Sequence, residues 1–322
     1  MQALKEQTVV QRVLIIAGPT ASGKSALAIA VAKEFSGVII NADSMQVYKE
    51  MDVLSARPPA KDLVQVTHRL YGFLNADDPC SVGRWLDLAI VEIKAAWVDG
   101  KLPLIVGGTG MYLKALLEGL APIPDIPTQA RKKATGLHKR LGGEVFRQKL
   151  SAIDIESALR IPAGDTQRLI RAYEVADATG RTLSDWQRDH PIEPPLDALF
   201  GVITLLPERE VLYAGVNKRF DWMMENGVMA EVRALDNLRL DPALPAMKAV
   251  GVPQLRAAIT GEKDLESATD DAKRATRQFA KRQMTWLRNQ LETDLPLSAQ
   301  YSERLLVEIF SFIRLFMLTK AS

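Results

Sequence analysis

The stretch Val13-Leu14-Ile15-Ile16-Ala17-Gly18-Pro19-Thr20-Ala21-Ser22-Gly23-Lys24-Ser25 decides the fold. An unbroken apolar run that stops at Gly-Pro reads as a buried strand, and the Ala- and Leu-rich segment from Ser25 to Phe35 reads as a helix. Between them, Gly, four residues, then Gly-Lys-Ser is the pattern of a phosphate-binding loop, in the strand, loop, helix setting it requires. Glycines let backbone N–H groups turn inward as an anion nest, and the helix N-terminus adds partial positive charge. Gly18, Thr20, Ala21, Ser22, Gly23, Lys24 and Ser25 are thus the candidate residues for binding a diphosphate or triphosphate, with Lys24 reaching the outer phosphates and Ser25 offering a hydroxyl to Mg²⁺. The loop specifies a diphosphate or triphosphate; it does not by itself specify a nucleotide.

Outward from this loop the pattern repeats. Val38-Ile39-Ile40 ends at Asn41-Ala42-Asp43-Ser44, and Leu102 to Val106 ends at Gly107-Gly108-Thr109-Gly110 before a helical stretch from Met111 to Leu117. Strands alternating with helices imply a parallel sheet with right-handed crossovers, and ligands of such sheets sit at the carboxyl ends of the strands. The texture changes at Ala121-Pro122-Ile123-Pro124-Asp125-Ile126-Pro127, which continues neither a helix nor a central strand. A helical pattern then runs to about His190, a second proline cluster (Pro191, Pro194, Pro195) closes it, and Leu199 to Leu206 reads as a strand returning to the sheet. The expected fold is α/β: a P-loop NTPase-like parallel sheet core, 1–124 with 196–322, interrupted by a helical insertion over 125–195. No internal repeat or low-complexity tract is present.

Composition excludes several classes. The chain has 322 residues, 47% hydrophobic, enough for a substantial core, so disorder is not its dominant state. Lys and Arg total 41 against 39 Asp and Glu, a net charge of +2, so a polyanion would have to be met by a local patch. Cys80 has no cysteine to pair with, and with His68, His138 and His190 it makes no zinc-ligand pattern, as fits a reducing cytoplasm. The apolar run Val13 to Ala17 is too short for a signal peptide, and no stretch reaches the roughly 20 apolar residues that cross a bilayer. Leu305 to Leu318 carries Glu308 and Arg314 and reads as an amphipathic helix packed on the core, so no membrane partner is expected.

Proteins that hydrolyse or transfer from a nucleoside triphosphate at such a loop usually have a second strand ending in Asp that holds Mg²⁺. Here the Leu102 strand ends in glycines and Thr109, and only the strand before Asp43 supplies a carboxylate. Asp43 is open to three roles: a magnesium-side acid, a helix cap, or a general base facing bound phosphates. Two basic stretches add a further signal. Lys273 to Arg288 holds Lys273, Arg274, Arg277, Lys281, Arg282 and Arg288 and no acid. At about 100° per residue, Lys273, Arg277, Lys281 and Arg288 share one stripe, with Phe279 and Trp286 opposite. Arg131 to Lys149 holds seven basic residues and only Glu144. Two such stretches in a near-neutral chain point to an extended polyanionic ligand.

Together the loop Gly18 to Ser25, Ala42-Asp43-Ser44-Met45-Gln46-Val47-Tyr48, Val106-Gly107-Gly108-Thr109-Gly110-Met111-Tyr112-Leu113 and Lys281-Arg282-Gln283-Met284-Thr285-Trp286-Leu287-Arg288 resemble the tRNA dimethylallyltransferase family, supported by Asp165 to Arg171 and Arg219 to Met224. The resemblance implies transfer of a dimethylallyl group from dimethylallyl diphosphate to the exocyclic N6 amine of the adenosine 3′-adjacent to the anticodon, in tRNAs reading codons that start with U, giving N6-isopentenyladenosine and diphosphate. It implies Asp43 as the base that takes the amine proton, Thr20 and Arg219 as catalytic contacts to the diphosphate, and Mg²⁺ at Ser25. It implies a tRNA route lined by Asp43, Ser44, Met45, Gln46, Thr109, Arg131, Gln167, Arg168, Leu169, Ile170, Arg171, Arg277, Lys281, Arg282 and Arg288, the insertion gripping the anticodon stem-loop, and a monomer. The pattern is broken at Leu54-Ser55, where the family has Gly-Thr, at Val252, where it has Tyr, and at His68-Arg69-Leu70, where it has a double histidine with leucine.

Two other classes compete on the residues alone: a small-molecule kinase or nucleoside triphosphatase on the same loop, and a nucleic-acid-binding regulator that senses nucleotide. The missing second-strand Asp weighs against the first, and the Asp43 and Thr109 blocks weigh against the second.

Overall fold

The computed structural model describes residues 10–189 and 193–319; His190 and Pro191 lie outside the described residues. Strands β1 (Arg12–Ala17), β2 (Gly37–Ala42), β3 (His68–Arg69), β4 (Leu102–Gly107), β5 (Leu199–Leu205) and β6 (Leu295–Leu297) form a parallel sheet in the order β3-β2-β4-β1-β5-β6. The apolar runs of β1, β2 and β4 are continuous because helices cover both faces of the sheet. On one face Leu14, Ile16, Ile39 and Leu104 meet Leu27, Ala28 and Val31 of α1 (Lys24–Glu34). On the other, Val13, Ile15 and Ile40 meet Trp85, Ala89 and Ile93 of α2 (Val82–Val98) and Leu113 and Leu116 of α3 (Gly110–Glu118). The short edge strands are not legible in the sequence: β3 has two residues, and β6 carries Pro296, tolerated only at an edge.

Register positions the site. Ala17 of β1 and Ala42 of β2 both pair with Gly107 of β4, so the turns that leave these three strands emerge side by side.

The chain divides into two compact units, Met1–Leu117 with Pro195–Ser322, and Glu118–Pro194. The second begins before residue 125 because Ile123 and Ile126 pack against its own core. It consists of α4 (Thr128–Leu141), α5 (Gly143–Ser151), α6 (Ile155–Arg160), α7 (Thr166–Thr179) and α8 (Leu183–Asp189), closed around Phe146, Leu150, Leu169 and Val175. Asp154 caps α6: its Oδ1 accepts from the Ser157 N–H (2.9 Å) and the Ser184 hydroxyl (2.8 Å), which ties α6 to α8.

In the first unit α9 (Arg209–Glu225), α10 (Val228–Asn237), α11 (Val252–Ile259) and α12 (Leu265–Gln290) follow β5, and α13 (Leu306–Leu318) buries Ile309 and Ile313 on the α1 face, as an amphipathic terminal helix should. Leu54 and Val252, at two of the breaks in the family pattern, lie in one apolar cluster with Phe220. Among the described residues no helix is long and apolar enough to cross a membrane.

Candidate active site

The phosphate loop is wound tightly at the tip of β1. The Ser22 N–H donates to the Pro19 carbonyl (3.3 Å), and Ala21 and Gly23 both take positive φ, +64° and +89°. Gly23 suits that left-handed backbone; Ala21 holds it against a Cβ penalty, as happens where surrounding contacts fix a functional turn. Helix α1 starts at Lys24 with no side-chain cap and no acid in its first turn, so its leading N–H groups are left for an anion. Lys24 is buried, and burial pushes its ammonium down to about 8, opposed by Asp43 and reinforced by Arg219. A buried cation that has lost its hydration is poised to gain from a diphosphate.

Thr20, Gly23, Lys24, Ser25, Asp43, Gln46 and Arg219 line one cleft of about 530 Å³, with Ser55 and Tyr301. Arg219 projects from α9; burial lowers its pKa and the Asp43 carboxylate opposes that. Asp43 Oδ1 accepts from the Met45 N–H (2.9 Å), and a turn, not a helix, follows it, which removes the helix-cap role. The neighbouring turn is stitched to it: the Ser44 N–H donates to Thr109 Oγ1 (3.0 Å) and the Thr109 N–H to the Ala42 carbonyl (3.2 Å). Gln46 is partly committed, its amide donating to the Ser55 and Ala56 carbonyls (2.9 and 3.0 Å). Met45 is half-buried against the cluster that contains Leu54.

The donors in this cleft fit a particular kind of metal binding. Among the described residues no three His, Cys, Asp or Glu side chains gather as a cage. A serine hydroxyl and one carboxylate beside a phosphate loop suit Mg²⁺, which keeps several waters and takes most of its remaining ligands from substrate phosphates.

Several contributors are absent from the sequence reading. The C-terminal segment clamps the phosphate loop, the Tyr301 N–H donating to the Ser22 carbonyl (3.0 Å) and the Gln300 amide to the Ala21 carbonyl (2.9 Å). Tyr71, beside Asp43, has its hydroxyl pKa raised by burial and by that carboxylate. Gln283 reaches the loop from α12: its Oε1 accepts from the Thr20 N–H (2.9 Å) and its Nε2 donates to the Gly108 carbonyl (3.0 Å). Of these, Gln283 lies in the block Lys281 to Arg288, where nothing local marks its amide as buried.

The basic helix differs from its expected stripe. Lys273 pairs with Asp221 (2.5 Å) and Arg277 donates to Asn217 Oδ1 (2.7 Å), so both are turned onto α9. The buried face of α12 includes Ala272, Ala280, Gln283, Met284 and Leu287, and Trp286, half-buried, packs against the sheet's core as expected of an anchor. Lys281, Arg282 and Arg288 are exposed and have no carboxylate within 4.0 Å among the described residues. Trp286 is half-buried, and with Lys281, Arg282 and Asn289 it lines a shallow groove.

In the helical unit, Gln167 and Arg168 are exposed at the start of α7, which Asp165 caps. Leu169 and Ile170, by contrast, are core residues, 0% and 5% exposed, so their side chains do not offer a surface contact. Arg131 and Arg171 share Glu174 Oε1, at 3.1 and 2.9 Å, and Glu174 itself is buried. One carboxylate thus holds two guanidinium groups on one side of this unit.

A loop of phosphate-binding pattern after a central parallel strand, with an acidic turn and a glycine-rich turn at adjacent strand tips, places the chain among parallel α/β proteins whose site lies at the carboxyl ends of the strands. Comparison with known proteins narrows this class. The IPP transferase family profile matches residues 46–290 and an isopentenyl transferase profile matches residues 11–77. The chain belongs to the IPP transferase family. It is 48% identical over 306 residues to the tRNA dimethylallyltransferase of Paramagnetospirillum magneticum, covering 95% of this chain and 97% of that one. Its fold is similar to the full-length tRNA isopentenylpyrophosphate transferase of Bacillus halodurans (TM-score 0.69, 30% identity, 95% and 97% coverage). It is also similar to a eukaryotic dimethylallyltransferase acting on tRNA (TM-score 0.80, 25% identity, 94% and 80% coverage).

Proposed function

We propose that this chain is a tRNA dimethylallyltransferase that moves the dimethylallyl group of dimethylallyl diphosphate onto the N6 amine of the adenosine 3′-adjacent to the anticodon, in tRNAs reading codons that start with U. It acts as a cytoplasmic monomer. The observation that carries this reading is one cleft holding a phosphate loop with buried Lys24, Arg219 beside it, and Asp43 on the next strand tip. The names of its relatives support it.

The chemistry follows from these groups. The bond from the allylic carbon to the diphosphate oxygen breaks as the bond from N6 to that carbon forms, and the electron pair leaves with the diphosphate. Lys24, Arg219, the Thr20 hydroxyl and the N–H groups at the start of α1 receive the departing charge, which is where preorganised donors lower the barrier most. The adenine amine is a poor nucleophile because its lone pair is delocalised, so a base that takes its proton during attack is needed. Asp43 takes that proton. Ser25 would hold Mg²⁺ together with the diphosphate, and the ion would supply charge neutralisation of the leaving group. The adenosine is turned out of its stack to reach Asp43, the usual requirement for base modification. Lys281, Arg282 and Arg288 of α12, and Arg131, Gln167, Arg168 and Arg171 of the helical unit, meet RNA phosphates and bases.

Incubation with dimethylallyl diphosphate, Mg²⁺ and unmodified tRNA, followed by digestion and mass analysis, tests the reading. A nucleoside heavier by one dimethylallyl group, lost when the target adenosine is replaced by guanosine, is expected. Absence of that product alongside robust ATP hydrolysis would sink it in favour of a kinase-like reading.

A further inference from the structure

Gln283 is 6% exposed, an unusual place for a carboxamide on a helix whose other buried residues here are Ala280, Met284 and Leu287. A buried amide is tolerated only when its donor and acceptor find partners. This one joins two turns of the active site. Its orientation is dictated by chemistry, because the Thr20 peptide presents an N–H (2.9 Å from Oε1) and the Gly108 peptide a carbonyl (3.0 Å from Nε2). The fit is close: a Cβ at position 108 would stand 2.5 Å from Gln283 Nε2 and 2.7 Å from the Gly18 carbonyl, so only glycine admits the bridge. Ala280 and Met284, on the same face of α12, pack against Ala21 of the loop. The Thr20 N–H is therefore taken up on the α12 side while Thr20 lines the cleft.

We propose that Gln283 is a positioning residue for the diphosphate site, its carboxamide locking the Thr20 peptide between the phosphate loop and the tip of β4 so that the Thr20 hydroxyl faces the leaving group. This rests on the reading of the loop as the diphosphate site. Preorganisation of that hydroxyl strengthens binding of the diphosphate and of the departing charge without touching the RNA.

Two substitutions test it in the full-length protein. Gln283→Met keeps the volume and removes both hydrogen bonds. It should raise the KM for dimethylallyl diphosphate and the inhibition constant of inorganic pyrophosphate about tenfold, leaving the KM for tRNA unchanged. Gln283→Glu keeps an acceptor for Thr20 but sets a carboxylate against the Gly108 carbonyl. Its activity relative to wild type should recover as pH falls, since the protonated carboxyl donates again, whereas Gln283→Met should show no such recovery. Wild-type pyrophosphate inhibition in Gln283→Met overturns the proposal. So does a joint fall of tRNA affinity and thermal midpoint without acid recovery in Gln283→Glu, the mark of a merely structural side chain. The Thr20 amide resonance, followed by nitrogen-15 NMR without substrate, should move in Gln283→Met. If it moves and pyrophosphate binding weakens while wild-type protein prenylates no tRNA, the functional reading fails and the positioning role stands.

Discussion

At the scale of single residues the cleft is governed by Asp43 and Lys24, charges of opposite sign with different tasks. If Asp43 accepts the amine proton, Asp43→Ala should lower turnover by two to four orders of magnitude, about the range of a general base, while dimethylallyl diphosphate still binds. Single-turnover kinetics with isothermal titration would check this, and unchanged turnover would remove Asp43 from that role. Lys24 makes a pH prediction with a definite sign. Its ammonium is pushed down to about 8 by burial, so below that pH it is charged and would receive the diphosphate, and above it the loop loses its cation. The value of kcat/KM for dimethylallyl diphosphate should fall as pH rises through about 8. The profile of Lys24→Ala, lower throughout, should lack that inflection.

At the scale of elements, α12 has two working faces. One packs on the phosphate loop through Ala280 and Met284, and the other exposes Lys281 and Arg282. Reversing both exposed charges should weaken tRNA binding and reduce the slope of log affinity against log salt by between about 1 and 2, if each meets one phosphate. Binding measured from low to high salt would show it, and an unchanged slope would place the RNA elsewhere. Arg277 is a poor probe for this purpose, since its hydrogen bond to Asn217 mixes stability with binding. The joint between α6 and α8 offers a stability test. Burial pushes the Asp154 carboxyl up, but hydrogen bonds from Ser157 and Ser184 outweigh it and hold the pKa below the ordinary value. Its contribution is present above the ordinary carboxylate range and disappears as pH falls through the depressed value. Asp154→Ala should cost about 2 kcal/mol, read as faster hydrogen exchange over residues 155–189, with a smaller effect for Asp154→Asn.

At the scale of the whole molecule, the chain forms two units with separate cores, and a ligand of one need not stabilise the other. Inorganic pyrophosphate with Mg²⁺ should increase hydrogen-exchange protection over the phosphate loop, α1 and the 300–301 segment that clamps it, because a ligand stabilises the elements that bind it. Protection over residues 128–189 should not change, since that unit closes around a core of its own. Protection spread evenly over both units would contradict this division.

The sequence by itself determined the parallel sheet, the phosphate loop, the helical insertion and the three strand tips that carry chemistry, because each rests on a local pattern: an apolar run, a turn residue, a fixed spacing. It also carried the family, through motifs whose order along the chain is itself a signature. Tertiary structure alone decided which side chains in those motifs face a ligand. Arg277 and Lys273 carry the same charge as Lys281, yet the packing of α12 on α9 turns them inward. Leu169 and Ile170 sit within a recognised motif but serve the core of the helical unit. The bridge from Gln283 to Thr20 and the clamp from residues 300–301 join positions more than 250 residues apart, a distance over which no local pattern carries information.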